Sequence, residues 1–411
     1  MKLLIVSQYF WPENFRINDL ATELVSRGHA VTVLTGQPNY PSGRTFPGYR
    51  WHSVRQESWG GVRIIRCPLV PRGNGGGIRL AINYLSFALS ASLVGTFALK
   101  DKFDAIFVYE PSPITVALPA LLLGKLRQSP VLLWVLDLWP ESVAATGAVR
   151  SRLVLQLIGK LVSFIYARCD RILVQSRGFI EHVLNRGARP ESVRYFPSWA
   201  EAVFTKPPDM KAPFQLPLGF TVVFAGNIGA AQGFAAVLDA AEQTRDRKDI
   251  HWVLVGDGRL AEWVRVEIQR RQLQDTVHMP GSFPLESMPA LFAQADALLV
   301  TLKQEPIFAS TIPAKIQSYL ACGRPIIGML DGEGAAVLIA SGAALVGPAE
   351  DAASLARNVL ALNNMSPACR NAMGALGHRY YLDHFERNRL VTELERWFEE
   401  ADRDRQSLGI H

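Results

Sequence analysis

At 411 residues, with 49% hydrophobic and 19% charged side chains, the chain is too long for one ordinary core and too apolar to be disordered. Its four cysteines are scattered, with no C-x-x-C and no metal-ligand spacing, which argues against a disulfide framework and reads as reduced thiols in a cytosolic protein. The net charge of +6 is unevenly placed, +11 over residues 1–200 and −5 over 201–411, so the first half calls for an anionic partner. No basic–aromatic stripe accompanies that charge, and nucleic acid is not expected to be the partner.

In chain order, the opening MKLLIVSQYFWPEN reads as a strand over 2–7 running straight into polar residues, not as a leader peptide. The spacing predicts a helix over 17–27, with Ile17, Leu20, Ala21, Leu24 and Val25 on one face and Gly28 as its stop. Strands follow at 30–35, 62–66, 105–109, 131–136, 171–175 and 193–196, with helices over 79–99, 113–126, 152–168 and 178–185. Uninterrupted apolar runs such as VLLWVL (131–136) suit parallel strands buried on both faces. Residues 80–99 are uncharged, yet Arg79, Asn83, Ser86 and Ser90 recur at helical steps; that polar stripe predicts a packed or membrane-surface helix instead of a span.

The Pro-rich run TKPPDMKAPFQLP (205–217) reads as a linker, after which the rhythm restarts. Strands are expected at 220–225, 252–255, 277–279, 297–302, 325–328 and 344–346. Helices are expected over 234–245, 260–272, 287–293, 312–321, 352–362 and 367–380. A last helix carries Leu390, Leu394, Trp397 and Phe398 at helical spacing and is expected to lie against the first domain. The expected organisation is therefore α/β: two Rossmann-like doubly wound domains, 1–205 and 206–385, facing a central cleft, with 386–411 packing back on the first.

In such sheets ligands sit at the carboxyl ends of the strands. Four ends in the second domain are equipped for an anion and a flat base. These are Gly226-Asn227-Ile228-Gly229, Gly256-Asp257-Gly258-Arg259, Met279 to Phe283, and the stretch carrying Lys303, Glu305, Ser310, Thr311 and Lys315. Pro313 suits the first turn of a helix whose unpaired amides, with Lys315 one turn in, would seat a phosphate. The first domain offers polar loops with Glu13, Asn14 and Arg16, then Asn39 and Tyr40, and an acidic strand end with Asp137 and Glu141; of these Glu13, Asn14, Asn39, Tyr40 and Glu141 are expected to bind the acceptor. Asp137, closing a buried strand, suits proton work or a sugar hydroxyl, with a helix cap as its structural alternative. No G-x-x-x-x-G-K-[ST] occurs, which argues against a P-loop ATPase. No metal site is expected.

The stretches 7–43, WVLDLWPES (134–142), FAGNIGAAQGF (224–234), LVGDGR (254–259) and IPAKIQSYLACGRPII (312–327) together resemble the family-4 retaining glycosyltransferases of the GT-B fold. Within them the chain looks like the WbuB-like branch, amino-deoxysugar transferases of O-antigen, capsule or colanic acid synthesis. The resemblance implies a UDP-sugar donor held by Gly226, Asn227, Gly229, Asp257, Phe283, Ser318 and Lys315, with Asp137 beside the transferred sugar and no cofactor. It also implies a polyprenyl-diphosphate-linked saccharide as acceptor, at the anionic cytoplasmic face of the inner membrane. The donor would be an N-acetylated amino-deoxyhexose such as FucNAc. The chain departs from the family at its two glutamates eight apart, which fall on Ser310 and Ser318, so ribose contacts are expected from Ser318 or a neighbour and a shifted carboxylate from Glu305. Gln232 stands where the family has a basic residue, leaving Lys303 or Arg16 to assist Lys315. A non-catalytic UDP-sugar-binding subunit and a non-hydrolysing epimerase are the competing readings.

Overall fold

The computed structural model describes residues 1–145, 149, 151–206 and 210–407. It divides into two units, Met1–Pro197 with Asn388–His411, and Ser198–Arg387. Positions 207–209 of the expected linker and 408–411 of the tail lie outside the described residues.

The first unit is built on eight strands: β1 (Lys2–Val6), β2 (Ala30–Gly36), β3 (Arg55–Trp59), β4 (Val62–Cys67), β5 (Ala105–Glu110), β6 (Val131–Val135), β7 (Arg171–Val174) and β8 (Val193–Tyr195). Their order is β3-β4-β2-β1-β5-β6-β7-β8, parallel throughout except for the β3–β4 hairpin. β1, β5 and β6 are buried almost end to end, as uninterrupted apolar sequence requires. Connections reverse direction between β1 and β5, which makes that edge the switch point where this topology leaves a crevice.

The edge strand β3 is an addition to the expected set. Its sequence, RQESW, carries no apolar alternation, but Gly60 and Gly61 both take positive φ and close a two-residue hairpin onto β4. The hairpin has a job in the interior: Glu57 pairs with the fully buried Arg66, whose guanidinium also donates to the carbonyls of Gly36 (3.1 Å) and Trp11.

The second unit has six strands, β9 (Phe220–Ala225), β10 (Ile250–Val255), β11 (Val277–Gly281), β12 (Ala297–Thr301), β13 (Ile326–Met329) and β14 (Ala344–Gly347). All are parallel, in the order β11-β10-β9-β12-β13-β14, with the switch point between β9 and β12. Helices Phe234–Gln243 and Ala352–Asn364 share one core with one face of this sheet; Ala314–Ala321 and Met288–Gln294 share another core with the opposite face. Two helices join the expected set, Pro306–Ala309 and Gly332–Ser341. The glycine at each end of GEGAAVLIASG reads as loop punctuation, yet the intervening run is apolar enough to bury Leu338 against the second core.

The division between units falls at Pro197, ahead of the expected boundary at 205. Phe204 stacks on Phe292 at 5.7 Å and belongs to the core of the second unit, which fixes residues 198–205 there. The last helix, Arg387–Ser407, packs on the first unit: Phe398 meets Phe107 edge-on and Trp397 meets Phe196. Around that apolar seam Glu395 takes both Arg27 (2.9 Å) and His29 (2.7 Å), and Asp170 takes Arg405 (3.3 Å). His29 therefore has a partner 366 residues away.

The helix Gly77–Ala98 reverses the usual arrangement. Its polar residues face the protein: Asn83 is buried between Gln8 (2.7 Å) and the Val70 carbonyl (2.6 Å), Ser90 donates to Pro68, and Arg79 donates to Pro71. Its apolar residues Ile78, Ile82, Leu85, Leu89, Leu93 and Phe97 face outward, each 45–82% exposed. By length and hydropathy it is, among the described residues, the one helix able to cross a membrane, and only 28% of its apolar window is buried. The neighbouring helices Ala117–Arg127 and Arg152–Tyr166 add exposed Leu122, Leu126, Leu153, Val154, Leu157 and Phe164.

Candidate active site

A cavity of about 450 Å³ opens at the carboxyl edge of the second sheet, within the range of small-molecule sites. Three strand ends supply its floor: Gly226 and Asn227 after β9, Gly256 and Asp257 after β10, Ser282 and Phe283 after β11. Lys315, Ser318 and Tyr319 from one face of the helix Ala314–Ala321 form a wall, with Glu201, Phe204 and Phe292 beside them. Tyr319 locks that helix to β9, accepting a hydrogen bond from the Ala225 amide at 3.0 Å.

Lys315 is the one basic side chain in this lining. Its ammonium sits 4.2 Å over the Phe224 ring, and burial alone lowers its pKa from 10.5 to about 8. Among the described residues no carboxylate forms a salt bridge with it. The lysine reaches the cavity because Gly226 lacks a side chain: a Cβ there would lie 2.7 Å from Lys315 Cε. Gly256 has the stricter requirement. A Cβ at that position would lie 1.9 Å from the Gly226 carbonyl oxygen, and φ is +139°.

The glycine-rich turn after β9 does not present the row of open amides expected from its sequence. Gly226 N donates to Val255 O (2.9 Å), Ile228 N to Asp257 O (2.8 Å) and Gly229 N to the Gln232 side chain (3.3 Å). Gln232, standing where a basic residue was expected, thus closes the turn on itself. An anion in this cavity is left to Lys315, the opening of its helix and the Asn227 side chain. Pro313 precedes that helix in extended geometry instead of occupying its first turn.

The structure separates the other expected donor contacts. Ser318 and Asp257 line the cavity, whereas Lys303, Glu305, Ser310 and Thr311 do not. Thr311 and Ser310 hydroxyls return to carbonyls of their own short helix, Ile307 O (2.9 Å) and Pro306 O (3.4 Å), and Glu305 stands exposed at its start. Proline at 306 and the run PIFA turn this segment into a helix of its own, which takes up Glu305, Ser310 and Thr311, while Lys303 is tied by its amide to Ala231 O at 2.8 Å. Arg16 belongs to the first unit, where it begins the helix Arg16–Ser26 beside Tyr109. The residue sequence reading missed is Glu201, whose Oε2 accepts a hydrogen bond from Ser318 Oγ at 3.1 Å. Nothing in its local sequence, SWAEAV, marks it; only the fold brings it beside a helix 117 residues on.

In the first unit, Glu13 and Asn39 are turned inward. The Glu13 carboxylate accepts from the amides of Tyr40 (2.7 Å), Asn39 (2.8 Å) and Phe10 (3.3 Å), and burial raises its pKa to about 7. Asn39 is fixed between Gln37 O and the Arg72 amide. These two residues build the loops, so the exposed side of that surface falls to Asn14 and Tyr40, the latter packed at a tilt against the stacked Tyr9–Phe15 pair, with Arg72 over its ring. Asp137 follows β6 and accepts from Trp139 Nε1 at 3.0 Å. Burial raises its pKa, and the wholly buried Glu110 at the end of β5 is raised further by burial and by the charge of Asp137. Glu141 pairs with Arg186 at 2.8 Å. Among the described residues no three His, Cys, Asp or Glu side chains are grouped to hold a metal ion.

Two mainly parallel switch-point sheets, the second bearing a cavity with Lys315 at its carboxyl edge, match the GT-B class of glycosyltransferases. Comparison with known proteins places the chain there directly: residues 14–199 match the Glycosyl transferase 4-like domain and residues 219–364 the Glycosyl transferases group 1 domain, so the chain belongs to the glycosyltransferases that join these two. It is 28% identical over 341 residues to WcaI of Escherichia coli (strain K12), named for a glycosyl transferase of colanic acid biosynthesis; the match spans 79% of this chain and 82% of that one. WbjE of Pseudomonas aeruginosa, named as a glycosyltransferase, is 30% identical over 226 residues, 52% of this chain and 56% of its own. Among solved structures, Anabaena Alr3699/HepE in complex with UDP superposes with a TM-score of 0.70 at 12% identity, over 97% of this chain and 100% of that one. WaaG, a glycosyltransferase of lipopolysaccharide biosynthesis, gives 0.63 at 13% identity, over 96% and 98%.

Proposed function

We propose that this enzyme moves a sugar from a UDP-sugar, bound in the cavity of the second unit, to a polyprenyl-diphosphate-linked saccharide during synthesis of a bacterial surface polysaccharide. The observation that carries this reading is Lys315: a half-buried ammonium without a carboxylate partner among the described residues, at the head of a helix and beside Gly226 and Asn227. A diphosphate has the charge and size to pair with such an ammonium. The UDP complex of the Anabaena structural neighbour supports the donor, and the name of WcaI supports the pathway class.

The chemistry is electrostatic. Breaking the anomeric C–O bond leaves growing negative charge on the diphosphate, and Lys315 with the positive end of its helix stabilises that charge. In this reading no metal is needed, because the ammonium does the neutralising. Asp137, held by Trp139 just beyond the carboxyl end of β6, orients a hydroxyl of the transferred sugar, and transfer proceeds with retention. The donor sugar is an N-acetylated amino-deoxyhexose such as FucNAc, as in the WbuB-like branch. Asn14 and Tyr40 lie on the acceptor side.

The outward apolar face of Gly77–Ala98, on a half of the chain with net charge +11, supports peripheral docking on the anionic cytoplasmic face of the inner membrane, where such an acceptor resides. The test is UDP release from a panel of UDP-sugars with and without lipid-linked acceptor. Acceptor-dependent release that is lost in Lys315→Met supports the reading; release or affinity untouched by that substitution overturns it.

A further inference from the structure

We propose that Glu201 is the carboxylate that reads the ribose of the nucleotide in this cavity, in place of any acid on the helix that carries Lys315. The inference rests on the nucleotide reading given above and adds a residue and a polarity to it.

The position is built, not incidental. Glu201 lies between two anchors, the buried Trp199–Ala200 pair and Phe204 stacked on Phe292 at 5.7 Å. It precedes a 3-10 turn, Ala202–Thr205, without capping that turn through its side chain. Its carboxylate instead enters the cavity lining and takes a hydrogen bond from Ser318 Oγ at 3.1 Å, which fixes its direction. Ser318 is three residues beyond Lys315 on the same helix face, about 4.5 Å along the axis. The wall therefore carries an ammonium and, one turn away, a hydroxyl–carboxylate pair.

Those two ends accept opposite chemistries. A carboxylate repels a phosphate but accepts hydrogen bonds from a neutral diol, and it offers about four acceptor sites for doing so. Carboxylates at the edge of Rossmann sheets read ribose hydroxyls for this reason. The ligand is thereby oriented: diphosphate at Lys315, Gly226 and Asn227, ribose at Glu201 and Ser318, with Phe283 left for the base. The helix sequence AKIQSYLA, with serine at 318, has no acid to offer; the fold delivers one from the segment ahead of β9.

The experiment compares the affinities of UDP and 2′,3′-dideoxy-UDP for the full-length enzyme and for Glu201→Gln by calorimetry, with Lys315→Met as a control. The wild type is expected to favour UDP by about 10-fold or more, the effect of losing hydrogen bonds to a charged group. Glu201→Gln is expected to bring the two ligands within about 3-fold of each other, by weakening UDP alone. Lys315→Met should weaken both ligands alike. A wild type that binds the two nucleotides equally overturns the inference without recourse to any variant, as does a Glu201→Gln enzyme that keeps the full preference or weakens both ligands equally. A wild type that binds UDP in neither assay arm overturns the nucleotide reading itself, and this inference with it.

Discussion

Replacing Lys315 by methionine should stabilise the free enzyme while abolishing its nucleotide affinity. Burial moves the ammonium from 10.5 to about 8, so holding it charged at pH 7 costs the folded state roughly 3 kcal/mol. Methionine keeps the length of the stem but forfeits the contact over Phe224, worth about 0.5–2 kcal/mol, leaving a net gain of about 1–2 kcal/mol. For a unit the size of Ser198–Arg387 that is a rise in Tm of about 2–8 °C. The sign has a pH signature. The lysine is lowered in the folded chain, so its penalty is full below about pH 8 and fades as pH climbs toward 10.5. Thermal melts across pH 7–10 should therefore show the gap between variant and wild type narrowing above pH 8. Saturating UDP should raise the wild-type Tm and leave that of Lys315→Met unmoved. A variant that melts lower than wild type at pH 7, or that still responds to UDP, would refute the account of an unpaired charge awaiting an anion.

Three further outcomes are expected. Glu13→Ala should lower stability by about 2–4 kcal/mol in chemical denaturation, because the amides of Asn39 and Tyr40 lose their acceptor. With Glu13 raised to about 7, its contribution to wild-type stability is greatest below pH 4.5 and declines as pH rises through 7, a slope the variant should lack. Gly256→Ala should cost at least about 3 kcal/mol or prevent nucleotide binding, since its Cβ would enter the Gly226 carbonyl; unchanged melting and unchanged UDP affinity would show that the two turns can part freely. Leu85→Glu with Leu89→Glu should abolish flotation with anionic liposomes while shifting Tm by less than about 2 °C, because both side chains are already exposed.

Much of the architecture could be read from periodicity alone, because VLLWVL and its counterparts are apolar enough to have only one use, as parallel strands buried on both faces. The edge strand β3 escaped because charged residues on an edge carry no alternation; its cue was the Gly60-Gly61 turn. Residues near the site were legible only where local sequence fixes geometry. Gly226 and Lys315 could be named from a turn and a helix start. The loss of Glu305, Ser310 and Thr311 from the cavity depended on Pro306 starting a separate helix, and the gain of Glu201 on packing between Phe204 and Phe292. Glu13 and Asn39 were identified as polar loop residues, but whether a loop carboxylate faces solvent or ties down its own amides is decided by three hydrogen bonds that no spacing reveals.

In the proposed function the second unit's cavity holds a nucleoside diphosphate with its charge on Lys315. A crystal of the enzyme soaked with UDP tests it most directly. The account expects a phosphate oxygen within hydrogen-bond distance of Lys315 Nζ and the ribose beside Glu201 and Ser318. Phosphates bound elsewhere in the chain, with Lys315 untouched, would contradict it.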